Sequence, residues 1–162
     1  MANNIVKNAN DGTLKIIDGA GSPASVTVSF INGDLSITEP GYEGKEPIMV
    51  YDRGAITQVI DGNDVPIDWS FSAKLVTITD SSTPTIRDAF KKAGGAAAWT
   101  STSAKGKHTL DLEWTLTAKS DGSDEVITIN DCFAESIEVA EGDEFDTVSV
   151  SGKSISTAVV IT

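Results

Sequence analysis

The chain has 162 residues and a formal net charge of −12, with 24 acidic side chains against 12 Lys and Arg. Apolar residues make up 40% of the chain, but they occur in short runs, whereas a membrane-spanning helix needs about 20 in succession. We therefore expect no membrane insertion, and the single cysteine, Cys132, excludes an internal disulfide.

The charge is distributed unevenly along the chain. Residues 1–86 carry a net charge of −6, residues 87–119 carry +3 and residues 120–162 carry −9. Duplex DNA binds proteins mainly through Lys and Arg contacts to its phosphates, so this balance argues against tight DNA binding. The acidic segment is a solubilising surface, a docking surface for a basic partner such as residues 87–119 of another copy, or a wall past which a polyanion slides.

Most of the predicted elements are strands. Ser and Thr together number 34 and Pro only 5, which is typical of strands rather than of a disordered chain. Residues 110–117 alternate between apolar and polar types, so their apolar side chains share one face. Residues 26–30 and 35–38 are predicted to pair as a hairpin through the Asn32-Gly33-Asp34 turn. In chain order, strands are predicted at residues 13–18, 26–30, 35–38, 48–52, 56–60, 65–73, 75–79, 110–117, 125–130, 136–140, 147–151 and 155–161.

One helix is predicted over residues 83–93. Thr83 suits the N-cap and Pro84 the first helical position. Gly94-Gly95 provides the stop. The helix has a single apolar stripe, which must cover part of a β core or a partner subunit.

Two connections are long and rich in turn-forming or small polar residues. Residues 39–47 contain two Pro and two Gly, and residues 101–108 are small, polar and basic. Loops of this length in a compact domain are usually functional or become ordered in an assembly.

Chemistry-bearing motifs are missing from the sequence. His108 is the only histidine, and no Gly-x-Ser-x-Gly, phosphate-binding or EF-hand pattern occurs. We therefore predict no catalytic, cofactor or metal site. Cys132 is interpreted as a small buried hydrophobe, and Trp69 and Trp114 as core residues. Trp99, which lies between three alanines and a polar loop, is a candidate interface anchor.

The order of these parts resembles that of the tail tube (major tail) proteins of long-tailed bacteriophages. The matching stretches are residues 26–38 with the following loop 39–47, residues 46–54, residues 66–73, the helix 83–93, and residues 108–118 leading into the acidic C-terminal strands. The resemblance implies a mainly β fold, an antiparallel β-sandwich or half-barrel with one flanking α-helix and long loops. It also implies a single domain over residues 1–162 with an extended N-terminal arm and a long 39–54 loop.

The function that the resemblance implies is structural rather than enzymatic. Tail tube subunits form hexameric rings that stack into a conduit for DNA ejection, so the expected partners are further copies and other tail proteins, with DNA only in transit. The expected location is the virion tail, after assembly in the host cytoplasm, and no cofactor is implied. The implied inter-subunit residues are Tyr42, Lys45, Arg53, Arg87, Lys91, Lys92, Trp99, Lys105 and Lys107, and the implied lumen-facing residues are Asp111 and Glu113.

Other classes of protein share these sequence features. One alternative is another β-rich virion protein, such as a tail terminator, a head decoration protein or a tube-like secretion component. A second is a carbohydrate-binding or surface-binding β-sandwich module, which would be a monomer with an exposed aromatic patch. A small hydrolase is disfavoured by the missing motifs.

Overall fold

The structure, a computed structural model, describes residues 12–28, 34–76, 82–117 and 123–162. The described chain is mainly antiparallel β-sheet with one small flanking helix, which confirms the predicted fold class. The predicted N-terminal arm lies largely outside the described residues. The elements are β1 (Gly12–Ile17), β2 (Ser25–Val28), β3 (Ser36–Thr38), β4 (Lys45–Asp52), β5 (Ala55–Asp64), β6 (Asp68–Lys74), α1 (Ile86–Lys91), a 3-10 helix (Gly94–Ala96), β7 (Leu110–Leu116), β8 (Glu125–Ala140), β9 (Thr147–Ser154) and β10 (Val160–Ile161).

Eight of the strands form one sheet in the order β2-β1-β7-β8-β9-β6-β3, with β10 added to β8. The 16-residue strand β8 connects the two halves of this sheet. Its first part pairs with β7 as far as Cys132, and from Cys132 onwards it pairs with β9. Asp131, just before this change of partner, has a positive φ of 55°, as expected where a bulge bends a strand. The two strands predicted at 125–130 and 136–140 are therefore one.

The predicted hairpin between residues 26–30 and 35–38 is wrong. β2 pairs with β1 at one end of the sheet, and β3 pairs with β6 at the other. Asp34, a member of the expected turn, instead accepts a hydrogen bond from the backbone N–H of Ser72 at 3.1 Å. Turn-forming residues mark where the chain changes direction, but they do not determine which strand it pairs with next.

One buried cluster packs against the inner face of the sheet. It confirms Trp69 as a core residue, and it corrects the prediction for Trp99, which is only 5% exposed and packs inside the protein. The buried apolar residues are Leu14, Ile16, Val28, Ile67, Trp69, Phe71, Ala73, Ala89, Ala96, Trp99, Leu110, Leu112, Ile129, Cys132, Val148 and Val150, with Trp114 partly buried beside them.

Helix α1 is shorter than predicted because its N-cap is Thr85 rather than Thr83. The backbone N–H of Asp88 donates to Thr85 Oγ1 at 3.1 Å, and the N–H of Thr85 donates to Asp88 Oδ2 at 3.2 Å. This capping box needs an acidic or amide side chain three residues after the cap, and Thr83 has Ile86 there. The helix ends at Lys92, which adopts a left-handed conformation with φ of 52°.

Two further strand predictions are wrong or only partly tested. Leu75 and Val76 lie outside any strand, and residues 77–79 of the predicted strand 75–79 are outside the described residues. Of residues 155–161, only Val160–Ile161 form a strand. The predicted irregular connection at 101–108 is confirmed. The hydroxyl of Thr102 donates to Thr109 Oγ1 at 3.0 Å, and the hydroxyls of Ser101 and Thr109 share a hydrogen bond of 3.0 Å.

Candidate functional site: an exposed apolar arm

Residues 45–64 form a two-stranded hairpin, β4 with β5, that is separate from the large sheet. We call this hairpin the arm. It confirms the predicted strands 48–52 and 56–60, but it corrects the prediction of a long 39–54 loop. The turn at its tip is formed by Arg53 and Gly54, whose φ angles of 49° and 86° are both positive. Such two-residue turns match the natural twist of a hairpin.

Apolar side chains cover the arm and are exposed to solvent. Tyr51 is 59% exposed and Ile56 is 57% exposed. Contiguous exposed apolar surface is uncommon on a monomeric soluble protein and marks a site of interaction. The exposed large apolar residues of the arm are Ile48, Met49, Val50, Tyr51, Ile56, Val59 and Ile60.

Both faces of the arm are apolar. Directly paired residues of an antiparallel hairpin share a face, and successive residues of a strand alternate between faces. The pairs Ile48↔Ile60 and Met49↔Val59 are consecutive, so they lie on opposite faces. Tyr51 shares the second face, and its hydroxyl lies 3.5 Å from Met49 Sδ. An antiparallel strand with one wet side normally shows one polar face, so this ribbon is suited to being covered on both sides.

The arm joins the body of the protein through a narrow base. The backbone N–H of Val65 donates to the carbonyl oxygen of Gly44 at 2.9 Å, so the two ends of the arm lie side by side. At the same level, Lys45 Nζ lies 2.5 Å from Asp64 Oδ1. The hydrogen bond and the charge of Asp64 raise the pKa of Lys45, and those of Lys45 lower the pKa of Asp64.

The residues predicted to contact other subunits fall into three places. Tyr42 and Lys45 lie at the base of the arm and Arg53 lies at its tip. The basic residues Arg87, Lys91, Lys92, Lys105 and Lys107 are all exposed, on α1 or on the 101–108 connection. Trp99 is buried in the core, as described above, and does not belong with them. The interface role of the exposed residues stays a prediction.

Asp111 and Glu113 lie on the outer face of β7, where the sequence placed them. Asp111 is half-buried, and its Oδ1 accepts the backbone N–H of Asp131 at 2.9 Å, which closes the bulge in β8. Burial raises the pKa of Asp111, and the charge of Asp131 adds to this effect. Glu113 is flanked in register by Lys15 on β1 and Thr128 on β8. The lumen-facing role of both residues stays a prediction. Asp111 also has a structural role, because its hydrogen bond with Asp131 stabilises the bulge in β8.

A polar surface on the other half of the sheet was not predicted as a unit. Ser36, Ser70, Ser151 and Ser136 are successive register partners across β3, β6, β9 and β8, and they form one row on the outer face. In the next row, the hydroxyls of Ser72 and Ser149 lie 2.8 Å apart. We call this surface the serine face. Shallow grooves along it are bordered by the carboxylates Asp34, Asp68, Glu135 and Glu138.

A second exposed apolar surface lies at the far end of β6. Its members are four exposed apolar residues near that end of β6, Leu75, Val76, Val139 and Phe145, which we call the end patch; Val76 is 62% exposed. The connection between β8 and β9, residues 141–146, borders it with the carboxylates Glu141, Asp143, Glu144 and Asp146. Lys74 Nζ lies 4.2 Å from the centroid of the Phe145 ring.

Strand register places the end patch and the base of the arm at opposite ends of β6. Asp68, the first residue of β6, pairs with Thr38, and the arm lies between these two residues in the chain. Lys74, the last residue of β6, pairs with Thr147 beside the end patch. At about 3.3 Å per residue, these ends are about 20 Å apart.

The described residues offer little for chemistry. Within the described ranges, no group of three His, Cys, Asp or Glu side chains could hold a metal ion. His108 packs against α1, with Nε2 3.0 Å from the carbonyl oxygen of Ala89. Cys132 is buried, and its burial raises the pKa of the thiol far above the ordinary range. No helix in the described part of the chain is long and apolar enough to cross a membrane.

No protein-family model matches the chain, and no curated protein matches it either.

Comparisons by structure find proteins of tail-like assemblies. The sheath/tube terminator of the extracellular contractile injection system PVC matches with a TM-score of 0.60 and 10% identity, over 99% of each chain. The SPP1 tail tube protein matches with a TM-score of 0.60 and 9% identity, over 96% of this chain and 79% of that one. A chain of the anti-feeding prophage baseplate, solved with six-fold symmetry, matches with a TM-score of 0.57 and 8% identity, over 100% of this chain and 97% of that one. At these identities the likeness concerns the fold, and this chain has the tail tube fold.

Proposed function

We propose that this chain is a structural subunit of a bacteriophage tail tube, which polymerises as stacked hexameric rings into a conduit for DNA ejection. The observation that carries the proposal is the arm, a ribbon over residues 45–64 that is apolar on both faces and exposed in the single chain. On a tail tube fold, further copies of the same chain are the natural cover for such a ribbon.

The exposed apolar area of the arm provides the driving force for assembly. Fully burying a large aliphatic or aromatic side chain stabilises by about 1.5–3 kcal/mol, and the seven residues of the arm are roughly half exposed. Each therefore contributes about 1 kcal/mol when a neighbour covers it. Their sum is large enough to offset part of the entropy lost when subunits associate.

The hexameric ring is supported by one of the structural neighbours. The anti-feeding prophage baseplate was solved with six-fold symmetry, and its matching chain aligns along almost its whole length. A six-membered ring of this chain would share that symmetry. Stacking the rings would then produce a tube.

The serine face supports the conduit role. Its hydroxyl rows are uncharged and its edges carry carboxylates, so it offers no cluster of cations to phosphate groups. Lys153, which borders it, is paired with Asp68 at 2.6 Å. We propose this face as the wall of the lumen, together with Glu113. Repulsion of DNA by such a wall acts only within a Debye length, about 8 Å at physiological salt.

The remaining attributes follow from this role. The protein works without enzymatic activity or a cofactor, and its partners are its own copies and other tail proteins. DNA passes through without tight binding. Its location is the virion tail, after assembly in the host cytoplasm.

A second candidate function is that of a tail terminator. The injection-system terminator aligns over 99% of each chain, with the same TM-score of 0.60 as the SPP1 tail tube protein. A terminator would form a single ring that does not stack on itself. The two functions therefore differ in whether rings of the purified protein stack into tubes.

Size-exclusion chromatography combined with negative-stain microscopy tests the proposal. Tubes or stacked six-fold rings are expected from the wild-type protein. Single six-fold rings at all concentrations would favour the terminator. A stable monomer at high concentration that binds a glycan would overturn both.

A deletion variant shows whether the arm drives assembly. Because Gly44 and Val65 are hydrogen-bonded to each other, residues 45–64 can be replaced by Asn-Gly without separating the ends. We expect a folded protein that no longer assembles. Ser136→Ala, on the serine face, is a matched control that should still form tubes, and tubes from the deletion variant would contradict the role of the arm.

A further inference from the structure

We infer that the C-terminal segment, residues 154–162, fixes the direction of the arm in the free subunit, so that the arm is preformed for assembly. We call this segment the strap. The inference rests on the proposed self-assembly and concerns the part of the chain that drives it. The strap acts mainly through the contact between Thr157 and Gly44, at the point where the chain enters the arm.

Both ends of the strap are hydrogen-bonded to β8. At the first end, the backbone N–H of Ile155 donates to the carbonyl oxygen of Asp131 at 3.1 Å. At the last end, Val126 and Thr162 exchange two backbone hydrogen bonds of 2.9 Å each. The strap is therefore anchored at two places on the strand that connects the two halves of the large sheet.

Between these two anchors, the strap crosses the connection that leads into the arm. Thr157 packs directly on Gly44, which is buried. A Cβ atom on Gly44 would lie only 2.5 Å from the Cβ atom of Thr157, so there is no space for a side chain between them. Earlier in the same connection, Oε1 of Glu39 accepts the backbone N–H of Val159 at 3.0 Å. The strap therefore contacts the entry to the arm at two points.

The chain that leaves the arm is held by the same strap. The backbone N–H of Ser154 donates to the carbonyl oxygen of Ile67 at 2.9 Å. The backbone N–H of Val65 donates to the carbonyl oxygen of Gly44, also at 2.9 Å. The entry and the exit of the arm are thus joined to each other and to the strap. Because both strands are fixed at the base, the direction of the arm relative to the large sheet is restricted.

The backbone at the entry is a tight turn. Glu43 and Gly44 have positive φ angles of 45° and 71°, and the N–H of Lys45 donates to the carbonyl oxygen of Tyr42 at 2.7 Å. Glycine adopts such a conformation without steric cost. At position 44, the missing side chain also allows Thr157 to approach. Gly44 is therefore the residue at which the strap and the turn together set the direction of the arm.

A fixed direction favours assembly. Ordering a mobile segment at the moment of binding reduces affinity, and a segment that is already in its bound conformation avoids this loss. An apolar ribbon that pointed freely would lose its freedom at each new contact between subunits. With the strap in place, the arm is ordered when the subunit folds.

Distances measured by pulsed electron paramagnetic resonance test the inference in the unassembled protein. One spin label is attached to Arg53→Cys at the tip of the arm and another to Lys91→Cys on α1, since both positions are exposed. The native Cys132 is buried and its thiol stays protonated, so it does not react with the label. We expect one narrow distribution of distances. Thr157→Gly, which removes the side chain that packs on Gly44, should broaden this distribution clearly.

Two further variants show whether the contact itself is responsible. Ala158→Gly adds the same backbone freedom to the strap but leaves the contact between Thr157 and Gly44 in place, so it should keep the narrow distribution. Gly44→Ala introduces a methyl group that overlaps Thr157, so it should displace the strap and broaden the distribution. Circular dichroism verifies that each variant is folded. Equal broadening by Ala158→Gly and Thr157→Gly would mean that the contact does not fix the arm.

Assembly provides a second measurement. In Thr157→Gly, the protein concentration needed for assembly should rise by about fivefold, which corresponds to about 1 kcal/mol. Light scattering measures this concentration, and Ala158→Gly should assemble like the wild type.

The outcomes separate this inference from the proposed function. A wild-type protein that forms no rings or tubes contradicts the proposed function, whereas the distance measurements still decide whether the strap fixes the arm. If Thr157→Gly keeps the narrow distribution, the strap does not position the arm. If tubes form and Thr157→Gly broadens the distribution without raising the concentration needed for assembly, the strap does not prepare the arm for assembly.

Discussion

The indole ring of Trp69 stacks on the phenyl ring of Phe90, with centroids 5.4 Å apart and planes inclined by 22°. This contact fixes α1 on β6, the strand whose two ends adjoin the arm and the end patch. The same indole also stacks on Phe71, with centroids 6.1 Å apart. The three rings therefore hold the helix and the strand as one unit.

We expect Phe90→Ala to destabilise the fold by about 2 kcal/mol. The substitution removes a partly buried ring and the stacking contact of that ring with Trp69. Chemical denaturation measures the change. Phe90→Leu keeps most of the apolar volume and should lose clearly less. Equal stability of Phe90→Ala and the wild type would mean that the helix is not held by this contact.

Thr85 and Thr83 provide a direct test of the capping box. Thr85→Ala should cost about 1 kcal/mol of stability, because Thr85 Oγ1 accepts the N–H of Asp88 at the start of the helix. Thr83→Ala, two residues earlier and outside the helix, should cost less. Thermal unfolding of the two variants, measured side by side, compares the two losses of stability. A larger loss for Thr83→Ala would mean that Thr83 is the N-cap, as the sequence predicted.

Asp111 should influence stability in a pH-dependent way. Its pKa is raised in the folded protein, mainly by burial, so the folded state disfavours its charged form. The contribution of Asp111 to the free energy of unfolding is therefore fully present below its ordinary pKa of 3.8. This contribution is lost as the pH rises through the raised pKa of the folded protein.

Two substitutions separate charge from hydrogen bonding at Asp111. Asp111→Asn keeps an acceptor for the N–H of Asp131 and removes the buried charge, so it should be at least as stable as the wild type at neutral pH. Asp111→Ala leaves that N–H without its acceptor and should lose about 1–2 kcal/mol. Denaturant titrations at several pH values measure both, and a stability of Asp111→Asn well below that of the wild type at neutral pH would contradict the argument.

Cys132 should be inert while the protein is folded. Its thiol is buried and its pKa is raised by burial and by the nearby charge of Asp111, so almost no thiolate is available to react. Treatment with iodoacetamide at mildly alkaline pH, followed by mass spectrometry, should show no labelling without denaturant and full labelling with it. Rapid labelling of the folded protein would contradict the burial.

The sequence revealed the faces of strands more readily than their partners. Alternation predicted the inward direction of Leu110 and Leu112, because a period of two is visible within a single strand. The pairing of β2 with β1, and of β3 with β6, depends on contacts between distant parts of the chain. No local turn signal contains that information, so the expected hairpin was wrong.

The candidate site shows the same limit. The sequence predicted both strands of the arm, but not that they would separate from the main sheet as a pair. The run Ile48-Met49-Val50-Tyr51 is apolar at every position, which is typical of a strand covered on both faces. In one isolated chain that cover is missing, so this run was the available signal for an interface. The serine face was missed because it combines residues from several strands, and the end patch was missed because it combines one strand residue with residues of two connections.

Replacing one apolar side chain of the arm tests whether its exposed faces drive assembly. Ile56 is 57% exposed in the single chain, so Ile56→Ser removes about 1 kcal/mol of apolar burial in the assembly. The protein concentration needed for assembly should therefore rise by about fivefold, and light scattering during assembly measures this concentration. Gln58→Ser, on the same strand of the arm, is the matched control and should assemble like the wild type. Unchanged assembly of Ile56→Ser would mean that this side chain is not covered by another copy.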